Sequence, residues 1–564
     1  MDYELKTIGD NDTTTDHDQS QFDTDSSSNA RDRYALARLG KKQVLKRNFG
    51  YFSMLAFSTT VLVTWEGVLG HVVFSIGLVN GGPAGLVYGY IVVWVGTLSV
   101  FISISELASM APTAGGQYHW VAILAPKSSR KFLSYLTGWM TAVAWQATII
   151  SGVFLAGTQI QGLLVLNYSN YVFERWHGTL LAWACLLVSV FINTVVASLL
   201  PSIESVILIL HVLGFFAVLI IMAYSAPRSP ASNIFTVFLN EGSWDTQGLS
   251  FLIGLMGLVY TFVGADAAVH MSEEMQNAAV NVPRAIIGSI ILNGILGFAI
   301  LLVTLFGLGD VESILNTPTG YPFIQIFYQA TRSPAGASAM TCIIITLAFC
   351  ATVGFVATSS RMIWSFARDR GLPFSNFLSR LNKRSVPINS ISITTLLAVL
   401  FNIINIGSTT VLNDILSISI AGFYSTYFAS CALLLYRRLL PPTGPSGGIS
   451  NPTDDIGSGV ITTSEGVRLV WGPWHVPGWF GIANNAFACA YMIVVLTFSF
   501  WPNTDPTSAS TMNYSVLVTG SVVVFSVIYY GIWGRRSYRG PVVEIDAMVE
   551  RPFVPVGTIA TIGS

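Results

Sequence analysis

Long apolar runs follow one another along this chain, with short polar connections between them. A helix needs about 20 apolar residues to cross a bilayer, and twelve runs meet that length. The pattern predicts an all-α integral membrane protein with about 12 transmembrane helices. We number them as spans 1 to 12, at residues 53–79, 84–109, 136–160, 179–199, 203–224, 249–271, 286–308, 338–360, 388–406, 412–436, 479–501 and 515–534.

Spans 1 and 6 are interrupted by residues that do not suit a lipid-facing helix. Glu66 stands near the middle of span 1 beside Gly67 and Gly70, and span 6 contains Gly264 and Asp266. A carboxylate at mid-membrane depth costs at least ~2.5–3.5 kcal/mol on insertion scales, so it faces protein or water. Non-helical backbone at that depth is tolerated where it lines a cavity. The alternative is that both carboxylates only bind freed backbone amides.

The positions of the two interrupted spans predict an internal repeat. Spans 1 and 6 are five apart, and since five is odd, the second copy runs through the membrane upside down. Paired, broken spans in corresponding halves indicate the midplane substrate site of an inverted-repeat secondary transporter. The predicted fold is a five-plus-five inverted repeat, with residues 49–224 as the first copy, 249–436 as the second, and 479–534 as two added helices. The predicted substrate-binding residues are Thr64, Trp65, Glu66, Gly67, Val68, Leu69, Gly70, Trp145, Val263, Gly264, Ala265 and Asp266.

Charge and composition support this topology. Only 10% of the residues are charged, against about 25% in soluble domains. A cytoplasmic N-terminus places all of the 28 Lys and Arg residues inside except Arg175, Arg228 and Arg332, as the positive-inside rule requires. The net charge of −1 gives no reason to expect nucleic acid as a partner.

The segments outside the spans are polar and the chain carries no catalytic motif. We expect residues 1–48 to form a disordered cytoplasmic tail, 437–478 a cytoplasmic loop and 535–564 a second cytoplasmic tail. The five cysteines lie in apolar runs without metal-ligand or disulfide spacing. No catalytic triad, phosphate loop or metal constellation is present, so we predict no enzyme activity, no ATP-driven pump, no cofactor and no metal.

Four motifs resemble those of the fungal amino acid/choline transporters of the amino acid–polyamine–organocation superfamily. They are SELASMAPTAGGQYHWVAILAP at 105–126, FLSYLTGWMTAVAWQ at 132–146, GADAAVHMSEEMQNAAVNVPRAI at 264–286 and WSFARDRGLPFS at 364–375. The likeness extends over about residues 45–535. It implies the inverted-repeat fold, a fungal membrane, and a substrate among amino acids, 4-aminobutyrate, choline and similar amines.

Glu66 departs from this family pattern, because members usually carry a small or neutral residue there. A carboxylate at this depth suits a cationic amine, and Trp65 and Trp145 could add cation–π contacts worth ~0.5–2 kcal/mol. The alternative for both tryptophans is packing or contact with lipid.

Two histidines are candidates for proton coupling. His211 lies in span 5, where related bacterial transporters have a titratable group, and imidazole titrates near neutrality. His71 is close to Glu66 along span 1 and is the second candidate. The alternative for His211 is a hydrogen bond that holds spans together.

Glu273 and Glu274 are candidates for a cytoplasmic gate. They follow span 6 and could pair with the basic residues Arg361, Arg368 and Arg370, although solvated interfacial charges are the more common case.

The resulting prediction is a secondary active transporter of a small amine-bearing solute, working by alternating access with proton coupling. Two alternatives stay open: an exporter of a cationic alkaloid, and a nutrient receptor that signals without transport. The plasma membrane is the expected location, with a vacuolar or other internal membrane as the alternative. The outer sequons at Asn167 and Asn513 predict glycosylation.

Overall fold

The computed structural model describes residues 31–70, 72–309, 311–407, 411–440, 449–450, 469–508 and 512–542. Within these ranges ten helices are long and apolar enough to cross a bilayer, and they correspond to spans 2–5 and 7–12. The all-α, multi-pass fold class is therefore confirmed. The helices are Val79–Met110, Arg130–Asn167, Arg175–Thr194, Leu200–Ser225, Ala278–Phe306, Pro334–Arg368, Ile388–Gly407, Val411–Leu439, Gly478–Ser499 and Ser515–Tyr529, the last continuing as Tyr530–Gly534 and Arg535–Ser537.

Span 1 is divided into three pieces. An α-helix over Tyr51–Leu62 ends at Val63, whose φ of 47° is left-handed. A β-branched residue rarely adopts that conformation, so Val63 marks a forced interruption of the helix. A short helix over Thr64–Val68 follows, and a π-helix over Val73–Leu78 completes the span.

Gly82 lies at the kink between span 1 and span 2. Its φ is +67°, and a Cβ there would lie 2.6 Å from the backbone nitrogen of Leu239. Only glycine fits this position, because both the dihedral angle and the space exclude a side chain. The two spans pack back along each other, so that a Cβ on Gly77 would meet the side chain of Leu86.

Span 6 is broken in the same manner. An α-helix over Gln247–Tyr260 gives way to turns at residues 261–266, where Gly264 has a φ of +94°. A short helix over Ala267–His270 and a 3₁₀ turn over Ser272–Glu274 follow. The two breaks touch, because a Cβ on Gly67 would lie 3.4 Å from the side chain of Thr261. Irregular backbone is thus present in both spans for which the sequence predicts it.

The remaining elements are short and connect the spans. They are a helix over 31–38, the helices Gln117–Leu124, Ala231–Thr236, Val311–Leu315, Pro322–Thr331 and Ser375–Leu378, a 3₁₀ turn Ala197–Leu199, and a parallel strand pair Ile449–Ser450 with Leu469–Val470. Large apolar side chains on the outer spans are exposed, as for Leu517 at 64% and Ile532 at 70%. Such a surface is stable when lipid covers it.

The N-terminal segment differs from the prediction of a disordered tail. Leu36, Leu39 and Leu45 are buried, and the carboxylate of Asp32 accepts hydrogen bonds from the amides of Asn277 and Ala278 at 2.7 and 3.1 Å. The prediction is therefore wrong for residues 31–48, because their apolar side chains and one carboxylate find partners on the membrane domain.

Residues of the C-terminal segment and of the loop before span 11 also pack on the membrane domain. Tyr538 is fully buried and packs on Tyr135 and Phe366. In the predicted loop 437–478, the amide of Trp474 donates to Ser109 at 3.0 Å, so this part of the loop is docked against span 2. Residues 1–30, 441–448, 451–468 and 543–564 lie outside the described residues.

Candidate functional site

Glu66 and His211 form a buried pair between span 1 and span 5. The Glu66 Oε1 atom lies 2.8 Å from His211 Nδ1, and both side chains are almost fully excluded from solvent. A proton must lie between these two atoms, since two lone pairs at this distance would repel each other. The structure therefore brings together a carboxylate and a histidine that the sequence singled out separately.

Trp65 contacts the same imidazole nitrogen. Its Nε1 is 3.3 Å from His211 Nδ1, and its ring packs edge-on against His211 and Phe215. An indole N–H only donates, and Nδ1 has a single lone pair, so Nδ1 cannot accept from Trp65 while it carries a proton. The indole therefore supports His211 once the proton between His211 and Glu66 has left.

Trp145 lies at the break in span 6. A Cβ on Gly264 would be 3.5 Å from Trp145 Cη2, and the indole packs edge-on against Phe423 and His270. Its Nε1 is buried and has no hydrogen-bond partner within the described residues. Trp65 and Trp145 thus contact different elements, span 5 in one case and the span 6 turn in the other.

The other predicted binding residues occupy several environments. Thr64 packs against span 7, since a Cβ on Gly297 would lie 3.1 Å from its methyl group. Val68, Leu69, Val263 and Ala265 are buried apolar residues of the core, whereas Gly67 and Gly70 are partly exposed.

Asp266 is fully buried and accepts three polar contacts. Tyr427 donates to Oδ1 and Gln117 to Oδ2, each at 2.6 Å, and His270 Nε2 lies 3.3 Å from Oδ2. Asp266 therefore binds side chains of three elements rather than freed backbone amides. Sequence reasoning missed His270 and Gln117, although a histidine four residues after Asp266 lies on the same face of a helix.

Glu204 is a further buried carboxylate that sequence reasoning missed. Thr60 of span 1 donates to its Oε2 at 2.7 Å, and its Oε1 has no partner within the described part of the chain. The signal was available, because an acidic residue inside the apolar run of span 5 breaks the same rule that singled out Glu66.

Two ion pairs form where span 6 ends, on the side that the predicted topology places in the cytoplasm. We call them the cytoplasmic gate, after the role that the sequence predicts for these glutamates. Arg368 donates to both oxygens of Glu273, at 2.7 and 3.0 Å, and Arg361 Nε donates to Glu274 at 2.8 Å. Burial raises the pKa of Glu273, but Arg368 and the Ala114 amide outweigh it and hold the pKa below its ordinary value of 4.5. Arg370, the third predicted partner, is exposed. These glutamates are therefore buried rather than solvated.

Both terminal segments reach this side of the protein through Asp369. Its buried carboxylate pairs with Lys41 and accepts from Tyr118 and from the Val542 amide, each of these at 2.9 Å. Burial raises the pKa of Asp369, and the nearby Lys41 and Arg368 overcome that effect and lower it.

A cleft lies at the other end of spans 1 and 6. It is lined by Val72 and Ile76 of span 1, Met256 and Tyr260 of span 6, and Trp501 at the end of span 11, among other residues. Tyr260 is the last residue before the turn in span 6. In the predicted topology this cleft lies on the outer side and the ion pairs of the cytoplasmic gate lie on the inner side.

Three further predicted residues are the two glycosylation candidates and His71. Asn167 is exposed at the end of span 3. Asn513 is partly buried, and its side-chain amide donates to the carbonyls of Ser499 and Trp501 at 3.0 Å. His71 lies outside the described residues.

Comparison with known proteins decides the family. The model of the amino acid permease family matches residues 49–522 of this chain. The chain belongs to the amino acid permease family. It is 33% identical over 465 residues to a protein of Macrophomina phaseolina named as an amino acid/polyamine transporter, covering 82% of this chain and 96% of that protein.

Other relatives of this permease come from yeast and from plants. The choline transporter of Saccharomyces cerevisiae is 26% identical over 88% of this chain and 83% of its own length. An amino-acid permease of Arabidopsis thaliana is 27% identical over 90% of this chain and 96% of its own length. Family membership confirms the prediction of a multi-pass secondary transporter. It also agrees with the prediction that the protein is not an enzyme.

Proposed function

We propose that this permease carries a small cationic amine across the plasma membrane, with Glu66 as the counter-charge of the ammonium group. Glu66 Oε1 faces His211, whereas Oε2 is buried without a hydrogen-bond partner in the described residues. A buried anionic oxygen with no donor is costly, and an ammonium group supplies both the charge and the hydrogen bonds. This unpartnered oxygen is the observation that carries the proposal.

A proton and the amine compete for the same carboxylate. While the proton lies between His211 and Glu66, the pair is neutral and an added ammonium would leave a net positive charge in the core. When the proton leaves, Nδ1 accepts from Trp65 and Glu66 is free to bind the amine. Proton and solute therefore alternate at Glu66, and this exchange couples the two fluxes.

Trp145 completes the site on the span 6 side. Its ring stands next to Gly264, and its unpartnered Nε1 offers one donor to the solute. The edge-on packing of Trp145 against Phe423, with 5.0 Å between ring centroids, forms an aromatic wall beside the break. Aromatic faces attract ammonium groups by about 0.5–2 kcal/mol.

The cytoplasmic gate then alternates with the outer cleft. Breaking the Glu273–Arg368 and Glu274–Arg361 pairs would expose the site to the cytoplasm, while the outer cleft closes. The relatives' names, an amino acid/polyamine transporter and a choline transporter, support an amine as the solute.

The test is uptake of radiolabelled choline, 4-aminobutyrate and a neutral amino acid by reconstituted vesicles, with and without a pH gradient. Choline uptake should occur, should change with the gradient, and should lose that dependence in His211→Gln. Glu66→Gln should reduce choline uptake at least tenfold, whereas the matched control Glu204→Gln retains it. Binding without uptake would indicate a receptor, and equal uptake by Glu66→Gln and the parent would overturn the proposed role of Glu66.

A further inference from the structure

The Asp266–His270 pair in span 6 is separate from the Glu66–His211 pair. His270 Nδ1 lies 2.8 Å from the backbone carbonyl of Ala114. A carbonyl only accepts hydrogen bonds, so Nδ1 must carry a hydrogen. The protonation state of the other ring nitrogen is then decided by its contact with Asp266.

That second contact requires one more proton. His270 Nε2 is 3.3 Å from Asp266 Oδ2, and an unprotonated Nε2 would point its lone pair at a carboxylate. The proton lies either on Nε2, giving an imidazolium beside a carboxylate, or on Asp266, giving two neutral groups. The pair has zero net charge in both cases, and loss of this proton to water leaves a charge of −1 in a fully buried place.

The surrounding charges do not compensate that loss. Gln117 and Tyr427 donate hydrogen bonds to Asp266 but bring no positive charge. The arginines of span 8 that are nearest to span 6 are already paired with the gate glutamates. Lys41 and Arg47 of the N-terminal segment are likewise paired, with Asp369 and Asp32. The other titratable and charged groups on the elements packed around the turn are Arg361 and Arg368 on the helix of span 8, Glu273 and Glu274 on the 3₁₀ turn, Tyr118 and His119 on the Gln117–Leu124 helix, Tyr424 and Tyr427 on span 10, and the exposed Tyr51 and Arg284 on the helices of spans 1 and 7.

Ala114 joins this pair to the cytoplasmic gate. Its carbonyl accepts from His270, and its amide donates to Glu273 Oε1 at 3.1 Å. The neighbouring Gly116 has a φ of +53°, and a Cβ there would lie 3.3 Å from His270 Cε1. The segment that binds the gate glutamate therefore lies against the imidazole, and Ala114 links His270 to Glu273 through two hydrogen bonds.

We propose that Asp266 and His270 hold a proton that keeps the cytoplasmic gate closed, and that its release opens the gate. The uncompensated charge left at Asp266 favours a state in which water reaches it. His270 then turns, Ala114 shifts, and Glu273 loses its amide donor. This proton site goes beyond the proposed function, because it acts on the gate and does not require Glu66 to bind an amine.

Asp266→Asn reproduces the protonated pair. Tyr427 can still donate to Oδ1, and the new amide can donate to an unprotonated His270 Nε2. The Gln117 Oε1 atom is buried without a partner in the described residues, so Gln117 can turn its amide over and accept the second hydrogen. The variant is therefore expected to fold with the gate closed.

The experiment measures cysteine accessibility behind the gate in full-length protein. Ser272 is fully buried, and its hydroxyl has no partner in the described part of the chain. Ser272→Cys is reacted with a water-soluble maleimide without any solute at pH about 5 to 9, and protein without this cysteine gives the background. Because a maleimide reacts with the thiolate, each rate is divided by the rate of free cysteine at the same pH. This relative rate should increase with rising pH, by up to about tenfold per unit for a single proton, and should stay low throughout in Asp266→Asn.

Three results would overturn the proposal: a relative rate of Ser272→Cys that does not change with pH, the same pH dependence of the relative rate in Asp266→Asn, or a high relative rate of Asp266→Asn at every pH. The first result needs no second variant, so the test holds even if Asp266→Asn does not fold. Glu204→Gln, another buried carboxylate, should keep the pH dependence. Glu66→Gln should keep it as well while losing choline uptake, which distinguishes failure of this proposal from failure of the proposed function.

Discussion

The carboxylate of Glu66 and the imidazole of His211 lie 2.8 Å apart, in the interior of the membrane domain. Trp65, the residue before Glu66, donates towards the same imidazole nitrogen. The shared proton can reside on Glu66 or on His211. When it leaves, the indole N–H of Trp65 can donate a hydrogen bond to the unprotonated imidazole nitrogen. Exchange of a proton for a cationic solute needs both states to be stable in the same buried place.

Trp65→Phe should shift the pH profile of choline uptake to higher pH. The change removes the N–H that stabilises unprotonated Nδ1 and keeps an aromatic ring against Phe215. A hydrogen bond of about 1 kcal/mol corresponds to a shift approaching one pH unit. Uptake measured in vesicles between pH 5 and 8 (roughly the range of histidine titration) checks this. Phe215→Leu, which removes no donor, is the control, and an unshifted profile in Trp65→Phe would contradict the role of the indole.

Glu273→Gln should destabilise the closed state, because it removes the carboxylate that accepts two hydrogen bonds from Arg368. Removing one partner of a buried ion pair costs about 3–5 kcal/mol, whereas removing both costs much less. The double variant Glu273→Gln, Arg368→Gln should therefore be more stable than the single variant. Thermal unfolding of the purified parent, single variants and double variant ranks their stabilities. If the double variant loses as much stability as the two single variants together, the two side chains do not interact.

His119 should make the protein sensitive to acid. Burial and the nearby charge of Lys41 lower the pKa of His119 to about 4, from an ordinary value of 6.5. Between these two values the unfolded chain binds a proton that the folded protein does not. Stability is then complete above pH 6.5 and declines as the pH falls towards 4, by about 2 kcal/mol between pH 7 and 5.

The measurement is thermal unfolding of the parent and of His119→Asn at both pH values. The variant cannot titrate at this position, so it should lose less stability on acidification than the parent does. An equal loss in both proteins would show that His119 is not the acid-sensitive group.

Asn167 should carry a glycan, and Asn513 should carry little or none. The side-chain amide of each donates two hydrogen bonds, but Asn167 is exposed, whereas Asn513 is partly buried. Glycosidase treatment of the protein from a eukaryotic host should increase its mobility on a gel, and Asn167→Gln should abolish that shift. A glycan on Asn11 would contradict the topology itself, since the sequence places that residue in the cytoplasm.

The sequence predicts much of the fold because the bilayer imposes strong rules on composition and span length. The two broken helices follow from Gly264, Gly67 and the carboxylates, which a lipid-facing helix does not tolerate. The ordered segment 31–48 could not be predicted, because its few apolar residues are stabilised by contacts on distant spans. Asp32, for example, binds the amides at the start of span 7.

The candidate site could be predicted only as a set of separate residues. Glu66 and His211 each stand out as titratable groups in apolar runs, but their pairing depends on how span 5 packs on span 1. Trp65 contacts span 5, whereas Trp145, which the sequence had grouped with it, contacts the turn in span 6. Local pairs are easier to predict, since the spacing of Asp266 and His270 already places them on one face of a helix. That spacing and the acidic Glu204 in span 5 are signals that the sequence contains.

The central claim is that Glu66 neutralises the positive charge of the solute. The most direct test compares the affinity of the purified transporter for choline and for 3,3-dimethyl-1-butanol, its uncharged analogue of the same shape, in the parent and in Glu66→Gln. Loss of one partner of a buried charge pair costs about 2 kcal/mol or more, which is roughly a 30-fold change in affinity. The parent should prefer choline by at least that factor, and Glu66→Gln should bind both molecules alike. An unchanged preference for choline in Glu66→Gln would contradict the account.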